Sequence, residues 1–225
     1  MIAGIVGAMI GAAAVLRPQQ GSPTALTFHD RMATLAAKGL TPGVLISMAM
    51  WVVFSLYWEA KATGASAATR SESRLSRSFH LILIGAAQLL VLFPVPGLRM
   101  RFLPASTPIV IASLFLEFIF FALAVWARHF LGRNWSGAVT TKINHELIRR
   151  GPYRFVRHPI YTAMLGAYLS TAFASGELRG LIGFAIACLA YWRKIGMEEQ
   201  YLGELFGSAY EAYQSETRAI IPGIL

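Results

Sequence analysis

Most of the polar side chains that could do chemistry lie in two short segments of the C-terminal half. Residues 143–161 read INHELIRRGPYRFVRHPIY and carry two histidines, four arginines, one glutamate and two tyrosines. Residues 193–199 read RKIGMEE and place two adjacent carboxylates shortly after two cations. Carboxylates, imidazoles and phenols together can bind a charged small molecule and can move a proton. These residue types predict a polar pocket built from both segments.

The sequence between the two polar segments is apolar. Residues 159–174 and 178–192 each have the length of a short helix, and Gly176 and Glu177 lie between them. This pattern predicts a helical hairpin that enters a membrane and returns. Its small residues favour close helix packing; they are Gly166, Ala167, Ser170 and Ala174. The hairpin would bring the two polar segments to the same membrane face.

The composition of the whole chain indicates a membrane protein. Of its 225 residues, 56% are hydrophobic and 14% are charged, whereas soluble domains carry about 25% charged residues. The chain is predicted to be an all-α integral membrane protein with a bundle of about five to six transmembrane helices. The predicted spans before the hairpin are 1–16, 40–58, 79–96 and 108–126.

The last segment, 193–225, has a different pattern. Apolar residues recur there at helical spacing among glutamates, which predicts an amphipathic helix at the membrane surface that ends before Pro222. We expect one integrated membrane domain. Its N-terminal part, 1–127, supplies transmembrane helices, and its C-terminal part, 128–225, carries the polar chemistry.

The distribution of positive charge predicts the orientation in the membrane. The net charge is +9, and 14 of the 20 Lys and Arg residues fall in 59–78, 128–158 and 193–225. Cytoplasmic loops carry the excess of Lys and Arg, so these segments, the pocket and both termini are expected to face the cytoplasm. The same charges would contact anionic membrane lipids, and no nucleic-acid partner is expected.

Several soluble enzyme classes are excluded by missing motifs. No Gly-x-Gly sequence occurs, so the dinucleotide-binding fingerprint is absent. His145-Glu146 begins like a zinc-protease motif, but Arg149 stands where the second histidine is required. The single Cys188 forms neither an internal disulfide nor a cysteine-rich metal site. No metal is expected.

Other polar residues are predicted to be structural. Glu117 falls within an apolar span, where a carboxylate must face the bundle interior, and an internal hydrogen bond is the expected role. The scattered histidines are interpreted as structural or surface residues; they are His29, His80 and His129.

The two polar segments together carry a family pattern. It reads Gly-Pro-Tyr-Arg-x-x-Arg-His-Pro-x-Tyr over 151–161, then an apolar hairpin, then Glu-Glu-x-x-Leu-x-x-x-Phe-Gly-x-x-Tyr-x-x-Tyr over 198–213. The chain from about 128 to 225 thereby resembles the isoprenylcysteine carboxyl methyltransferase family. The wider group includes phospholipid N-methyltransferases.

The resemblance implies a membrane-embedded methyltransferase that uses S-adenosylmethionine. By position it assigns a cofactor pocket to His145, Leu147, Gly151, Tyr153, His158, Tyr161, Glu198, Glu199 and Leu202. It also implies that Arg193 is the nearest match to an arginine beside the acceptor group. The predicted catalytic residues are Arg193, Glu198 and His158.

The acceptor stays open at this stage. A lipophilic or small carboxylate, thiol or amine would each suit the family, and an amine would have to lose a proton, for which His158 or Glu198 is the candidate base. Two other classes of protein remain as alternatives. One is a membrane sterol reductase-like NADPH enzyme, and the other is a non-enzymatic transporter or scaffold.

Overall fold

A computed structural model of the chain describes residues 27–61, 68–136, 140–142 and 146–221. The predicted first span, 1–16, lies outside the described residues. Seven α-helices are described: α1 Phe28–Ala37, α2 Pro42–Ala60, α3 Arg74–Leu92, α4 Thr107–Leu131, α5 Pro159–Ser175, α6 Leu178–Phe206 and α7 Ser208–Glu216. Two short strands, β1 Ala68–Ser71 and β2 Thr140–Lys142, pair antiparallel.

Local sequence explains where the long helices begin and end. The hydroxyls of Thr41 and Ser73 accept hydrogen bonds from backbone N–H groups in the first turns of α2 and α3. Proline occupies the first turn of α2, α4 and α5, where no N–H is needed. Gly176 ends α5 in the left-handed conformation, with φ of 62°.

Four of the described helices are long and apolar enough to cross a membrane: α2, α3, α4 and α6. Helix α5 has 17 residues and lies inside the bundle, with Ala163, Ala167 and Tyr168 fully buried. The outer face of α4 is apolar, and Phe115 and Phe118 there are 63% and 62% exposed. Such a face needs lipid around it. The prediction of an all-α integral membrane protein is confirmed.

Small residues let α5 and α6 approach their neighbours closely. A Cβ atom added at Gly166 of α5 would lie 2.4 Å from the ring of Phe120 on α4. A Cβ at Gly183 of α6 would lie 2.8 Å from the backbone oxygen of Ala87 on α3. The bundle therefore consists of α5 packed between α4 and α6, with α3 against α6 and α2 against α4 and α5.

The bundle has two different ends. At the hairpin-turn end, the loop after α3 meets the turn between α5 and α6, where the Phe102 N–H donates to the Gly176 carbonyl at 3.0 Å. At the other end lie β1 and β2, the chain from 146 to 158 and the last turns of α6. We call this second end the carboxylate end, because it contains Glu198 and Glu199. The hairpin thus returns both polar segments to one end.

The tail differs from its prediction. Residues 193–206 continue the second arm of the hairpin as part of α6, and a separate short helix, α7, follows. No strong helix breaker stands before Gly207, whose φ of 52° ends α6. Gly196 is tolerated in mid-helix at a modest energetic cost. The single tail helix predicted from residue 193 is therefore two helices, and the second ends at Glu216, before Pro222.

Candidate functional site

A cavity of about 270 Å³ opens at the carboxylate end. Its walls come from α2, α3, α5 and α6, together with the chain around the end of α4. Five of the sequence-predicted site residues line it: Tyr153, His158, Tyr161, Glu198 and Leu202. The two polar segments therefore meet in space, as the hairpin prediction requires.

The Arg-His-Pro motif is held by the C-terminal chain. Pro159 starts α5 and leaves His158 as its non-helical N-cap. The backbone N–H of Arg157 donates to the Arg218 carbonyl at 2.8 Å, and that of His158 donates to the Ala219 carbonyl at 2.9 Å. These bonds fix the backbone from which both motif side chains reach the cavity.

His158 lies between the two adjacent carboxylates. Its Nδ1 is 3.5 Å from Glu198 Oε2, and its Nε2 is 3.2 Å from Glu199 Oε1. The Tyr161 hydroxyl donates to Glu198, and Arg157 Nε donates to Glu199 Oε1 at 2.7 Å. Each carboxylate thus has a cationic or hydroxyl partner, and the three groups (His158, Tyr161 and Arg157) fix the positions of both acids.

The electrostatics of this cluster favour a charged His158. Burial lowers the pKa of the imidazole, but hydrogen bonds to Glu198 and Glu199 and the charges of both acids raise it more. The pKa of His158 is therefore raised above its ordinary value. An imidazolium between two carboxylates is a positioning group, because its proton is already engaged.

Two tyrosines beside the cluster stay protonated. Burial, followed by the charge of Glu198, raises the pKa of Tyr153 well above its usual range. Burial raises the pKa of Tyr213 to about 12, and its hydroxyl donates to the Tyr153 carbonyl at 2.5 Å. Near neutral pH both phenols are therefore hydrogen-bond donors rather than bases.

A second charge on α6 also faces the cavity. Lys194 lines the cavity and is only 6% exposed, and its Nζ lies 6.0 Å from the centre of the Tyr161 ring. It precedes Glu198 by four residues, so both side chains lie on one face of the helix. One wall of the cavity therefore presents a cation and an anion one helical turn apart.

Arg193 does not line the cavity. Its Nη2 donates to the Ser76 hydroxyl at 2.8 Å, and its guanidinium lies 5.4 Å from the centre of the Phe79 ring on α3. Five residues separate it from Glu198, which turns it about 140° around the helix. Of these two adjacent cations, Lys194 lines the cavity, whereas Arg193 faces α3.

The other predicted pocket residues have different locations. Glu199 faces Arg157 and α7, where Gln214 donates to it at 3.2 Å. Gly151 has φ of 62°, and a Cβ there would lie 2.7 Å from the Phe130 ring, so it permits close packing. Neither residue, nor Leu147, lines the cavity. His145 lies outside the described residues.

An aromatic pair that lines the cavity was not predicted. Trp58 and Trp135 both line the cavity, and their ring centres lie 5.7 Å apart. The guanidinium of Arg128 lies 3.3 Å from the centre of the Trp135 ring and 4.7 Å from that of Trp58. These contacts join α2 to the chain after α4. No local sequence pattern predicts that Trp58 contacts Trp135, which lies far from it along the chain.

The groups around the cavity suit an organic cation with a zwitterionic tail. Glu198 can bind an ammonium, Lys194 can bind a carboxylate, and aromatic side chains of the wall, such as that of Tyr153, can contact a positive charge. Within the described residues, no group of three or more His, Cys, Asp or Glu side chains could hold a metal ion. S-adenosylmethionine combines a sulfonium with an amino-acid tail, so the residues present fit it.

Comparison with known proteins bears out the resemblance. Residues 111–204 match the model of the isoprenylcysteine carboxyl methyltransferase family. This segment runs from α4 to the last turns of α6, so it contains the five cavity-lining residues predicted from sequence.

Three curated relatives are protein-S-isoprenylcysteine O-methyltransferases. The Schizosaccharomyces pombe protein is 32% identical over 94 residues, which cover 40% of each chain. The Dictyostelium discoideum protein is 33% identical over 82 residues, 36% of this chain and 35% of the relative. The Saccharomyces cerevisiae protein is 30% identical over 101 residues, 44% of this chain and 42% of the relative. The similarity thus spans about two fifths of the length of these relatives.

Proposed function

We propose that this integral membrane protein is a methyltransferase that binds S-adenosylmethionine in the cavity at the carboxylate end. One observation carries the proposal. Glu198, Lys194 and the tyrosine rings line one cavity within the segment that resembles the methyltransferase family. Opposite charges at this spacing complement the two charged ends of an amino-acid tail.

Each residue has a distinct role in the proposal. Glu198 binds the donor's ammonium, and Lys194 binds its carboxylate. The ring faces of Tyr153 and Tyr161 lie beside the positive charge of the donor. His158 holds Glu198 in place, so of the three residues predicted as catalytic it acts as a positioning residue. The methyl donor, when bound, supplies an activated methyl group on a cationic sulfur.

The chain contributes to the reaction mainly by alignment. Methyl transfer is an in-line displacement. A site that holds donor and acceptor in the reactive geometry makes the reaction effectively unimolecular and therefore faster. The cavity volume of about 270 Å³ is near the lower end of small-molecule sites, which span about 300–1,000 Å³. An acceptor must therefore be small or must enter between helices from the lipid. The curated relatives are named for isoprenylcysteine, and a lipophilic or small acceptor is proposed for this chain.

Orientation in the membrane is part of the proposal. The carboxylate end carries the basic segments, and the positive-inside rule supports a cytoplasmic location for it. A water-soluble donor would then enter from the cytoplasm. Cysteine labelling at Glu211, an exposed α7 position, tests this in intact cells. A membrane-impermeant maleimide should label the E211C variant of a Cys188→Ala protein only after the cells are opened.

Calorimetry with S-adenosylhomocysteine on detergent-purified protein tests the proposed function. Wild-type protein should bind the product nucleoside, and Glu198→Ala and His158→Ala should bind it at least about tenfold more weakly, because a charge-assisted contact or its support is lost. Glu211→Ala removes an exposed carboxylate far from the cavity and serves as the matched control. Absence of binding to wild-type protein at high concentration would reject the proposal.

A further inference from the structure

Part of the cavity wall comes from α2 and α3. Its lining residues are Phe54, Ser55, Trp58, Glu59, His80 and Ile84. We call this set the α2–α3 wall. All six precede residue 111, where the family match begins. We call the part of the wall that carries Glu198 and Lys194 the carboxylate wall. It lies within the segment that matches the family model, whereas the α2–α3 wall lies outside that segment.

Two polar groups of the α2–α3 wall are buried without a hydrogen bond. Ser55 is 4% exposed and His80 is 8% exposed. Neither the Ser55 hydroxyl nor His80 Nδ1 has a hydrogen-bond partner among the residues that the structure describes. Buried polar groups without partners are uncommon, because leaving them unpaired costs free energy. Five other such atoms among the described residues belong to side chains that do not line the cavity; Ser55 and His80 do line it, where a ligand can supply the missing partners.

The surroundings of His80 define what that ligand must offer. The backbone carbonyl of Ala190 on α6 accepts a hydrogen bond from the His80 ring, and because Nδ1 has no partner, the donor is Nε2. A neutral ring that donates through Nε2 presents a lone pair at Nδ1. That lone pair attracts a hydrogen-bond donor and repels a carboxylate.

His80 is linked to the carboxylate wall through a row of neighbouring aromatic rings. The centres of the His80 and Tyr191 rings are 5.7 Å apart, those of Tyr191 and Tyr161 are 5.0 Å apart, and those of Tyr161 and His158 are 5.6 Å apart. All four side chains line the same cavity. A donor held by Glu198 and an acceptor held by His80 would therefore share one space.

We propose that the α2–α3 wall binds the methyl acceptor, that the acceptor is a nucleophile carrying its own proton (an amine, alcohol or thiol), and that His80 receives this proton. The inference rests on the proposed methyltransferase function and names its substrate class. Ser55 supplies a second hydrogen bond to the acceptor. His80 thereby replaces His158 and Glu198 as the base, since both of those groups are already engaged with each other.

The proposed step balances in atoms and charge. The bond between the acceptor atom and its hydrogen breaks, and the proton moves to His80 Nδ1. The lone pair of the acceptor atom forms the new bond to the methyl carbon. The bond from that carbon to the donor sulfur breaks, and its electron pair stays on sulfur. The positive charge therefore passes from the sulfonium to the imidazolium of His80.

Three probes of one size test the acceptor class: butanethiol, butylamine and butanoate. The first readout is thermal stabilisation of the detergent-purified protein by each probe without methyl donor. Wild-type protein should be stabilised by at least one protic probe and not by butanoate. Both His80→Asn and Ser55→Ala should lose this stabilisation. The second readout is transfer from radiolabelled S-adenosylmethionine, which His80→Asn should slow by about 10²–10⁴-fold.

Two controls separate this inference from the proposed function. His129→Asn removes an exposed histidine of α4, and Ser113→Ala removes a buried hydroxyl that bonds only within its own helix; both should behave as wild type. His80→Asn should keep its affinity for S-adenosylhomocysteine, and loss of that affinity would place His80 in the donor site and overturn the inference. Preference for butanoate, or no effect of any probe on wild-type protein that binds S-adenosylhomocysteine, would also overturn it. Failure of wild-type protein to bind S-adenosylhomocysteine would instead reject the proposed function.

Discussion

The two ends of the bundle both bury charges, but in opposite ways. At the hairpin-turn end, Arg179 is fully buried and its Nε lies 2.5 Å from Glu177 Oε2. Its Nη1 donates to the carbonyls of Leu90 and Val91 at the end of α3, at 2.9 and 3.0 Å. At the carboxylate end, Glu198 has equally close partners but also faces a cavity.

The difference shows that a buried charge does not by itself mark a binding site. Arg179 uses its charge to bind the last carbonyls of α3, where the helix dipole favours a cation. In mid-bundle, Glu117 is likewise buried and accepts from the Ser47 hydroxyl at 2.7 Å. Both clusters join helices. Among the residues that the structure describes, the carboxylate end is where charged groups and aromatic rings line one cavity.

The largest expected effect belongs to the hairpin-turn end. Arg179→Ala leaves the buried Glu177 with Arg99, 3.6 Å away, as its remaining ion-pair partner among the described residues. It also removes the hydrogen-bond donor of two α3 carbonyls. Removing one partner of a buried ion pair costs about 3–5 kcal/mol of unfolding free energy. Denaturant titration of the detergent-solubilised protein measures this loss. At a low temperature where Arg179→Ala is still folded, it should bind S-adenosylhomocysteine with the affinity of the wild-type protein. Equal loss of affinity and stability would mean that the two ends are coupled.

Glu198→Gln should do the opposite: it should weaken ligand binding and leave the stability of the protein almost unchanged. The substitution keeps the side-chain volume and removes the charge that faces the cavity. Hydrogen bonds to charged groups contribute about 1.5–3 kcal/mol, so the affinity for S-adenosylhomocysteine should fall by about tenfold to a hundredfold. The midpoint of thermal unfolding should change little. Unaltered affinity in calorimetry would remove Glu198 from the donor site.

Lys194→Met and Arg193→Met form a matched pair on adjacent positions of α6. Both remove one cation and keep a long apolar side chain. Lys194→Met should weaken S-adenosylhomocysteine binding by about tenfold, since it lines the cavity. Arg193→Met should change it by about twofold or less, because its contacts are with Ser76 and Phe79. The reverse order of effects would place Arg193, rather than Lys194, in the donor site.

Features that depend on local pattern were predictable, and those that depend on long-range packing were not. The hairpin followed from the apolar runs around Gly176, and it placed His158 beside Glu198 correctly. Helical periodicity alone could have chosen Lys194 over Arg193, because residues four apart share a face. Nothing local to His80 distinguishes it from a structural histidine. Its place in the cavity depends on how α3 packs against α6.

The smallest expected effect is a pH dependence of stability from His158. Its pKa is raised above the ordinary 6.5 by Glu198 and Glu199, despite burial, so the folded state binds the proton more tightly than the unfolded state. This contribution to the unfolding free energy is complete below about pH 6.5 and is lost as the pH rises through the folded-state pKa. Denaturant titrations between pH 6 and 9 should therefore show a decline in wild type that His158→Gln reduces. Parallel curves for the two proteins would mean that the imidazole is neutral in the folded state, and its place between the two acids would then be held by hydrogen bonds alone.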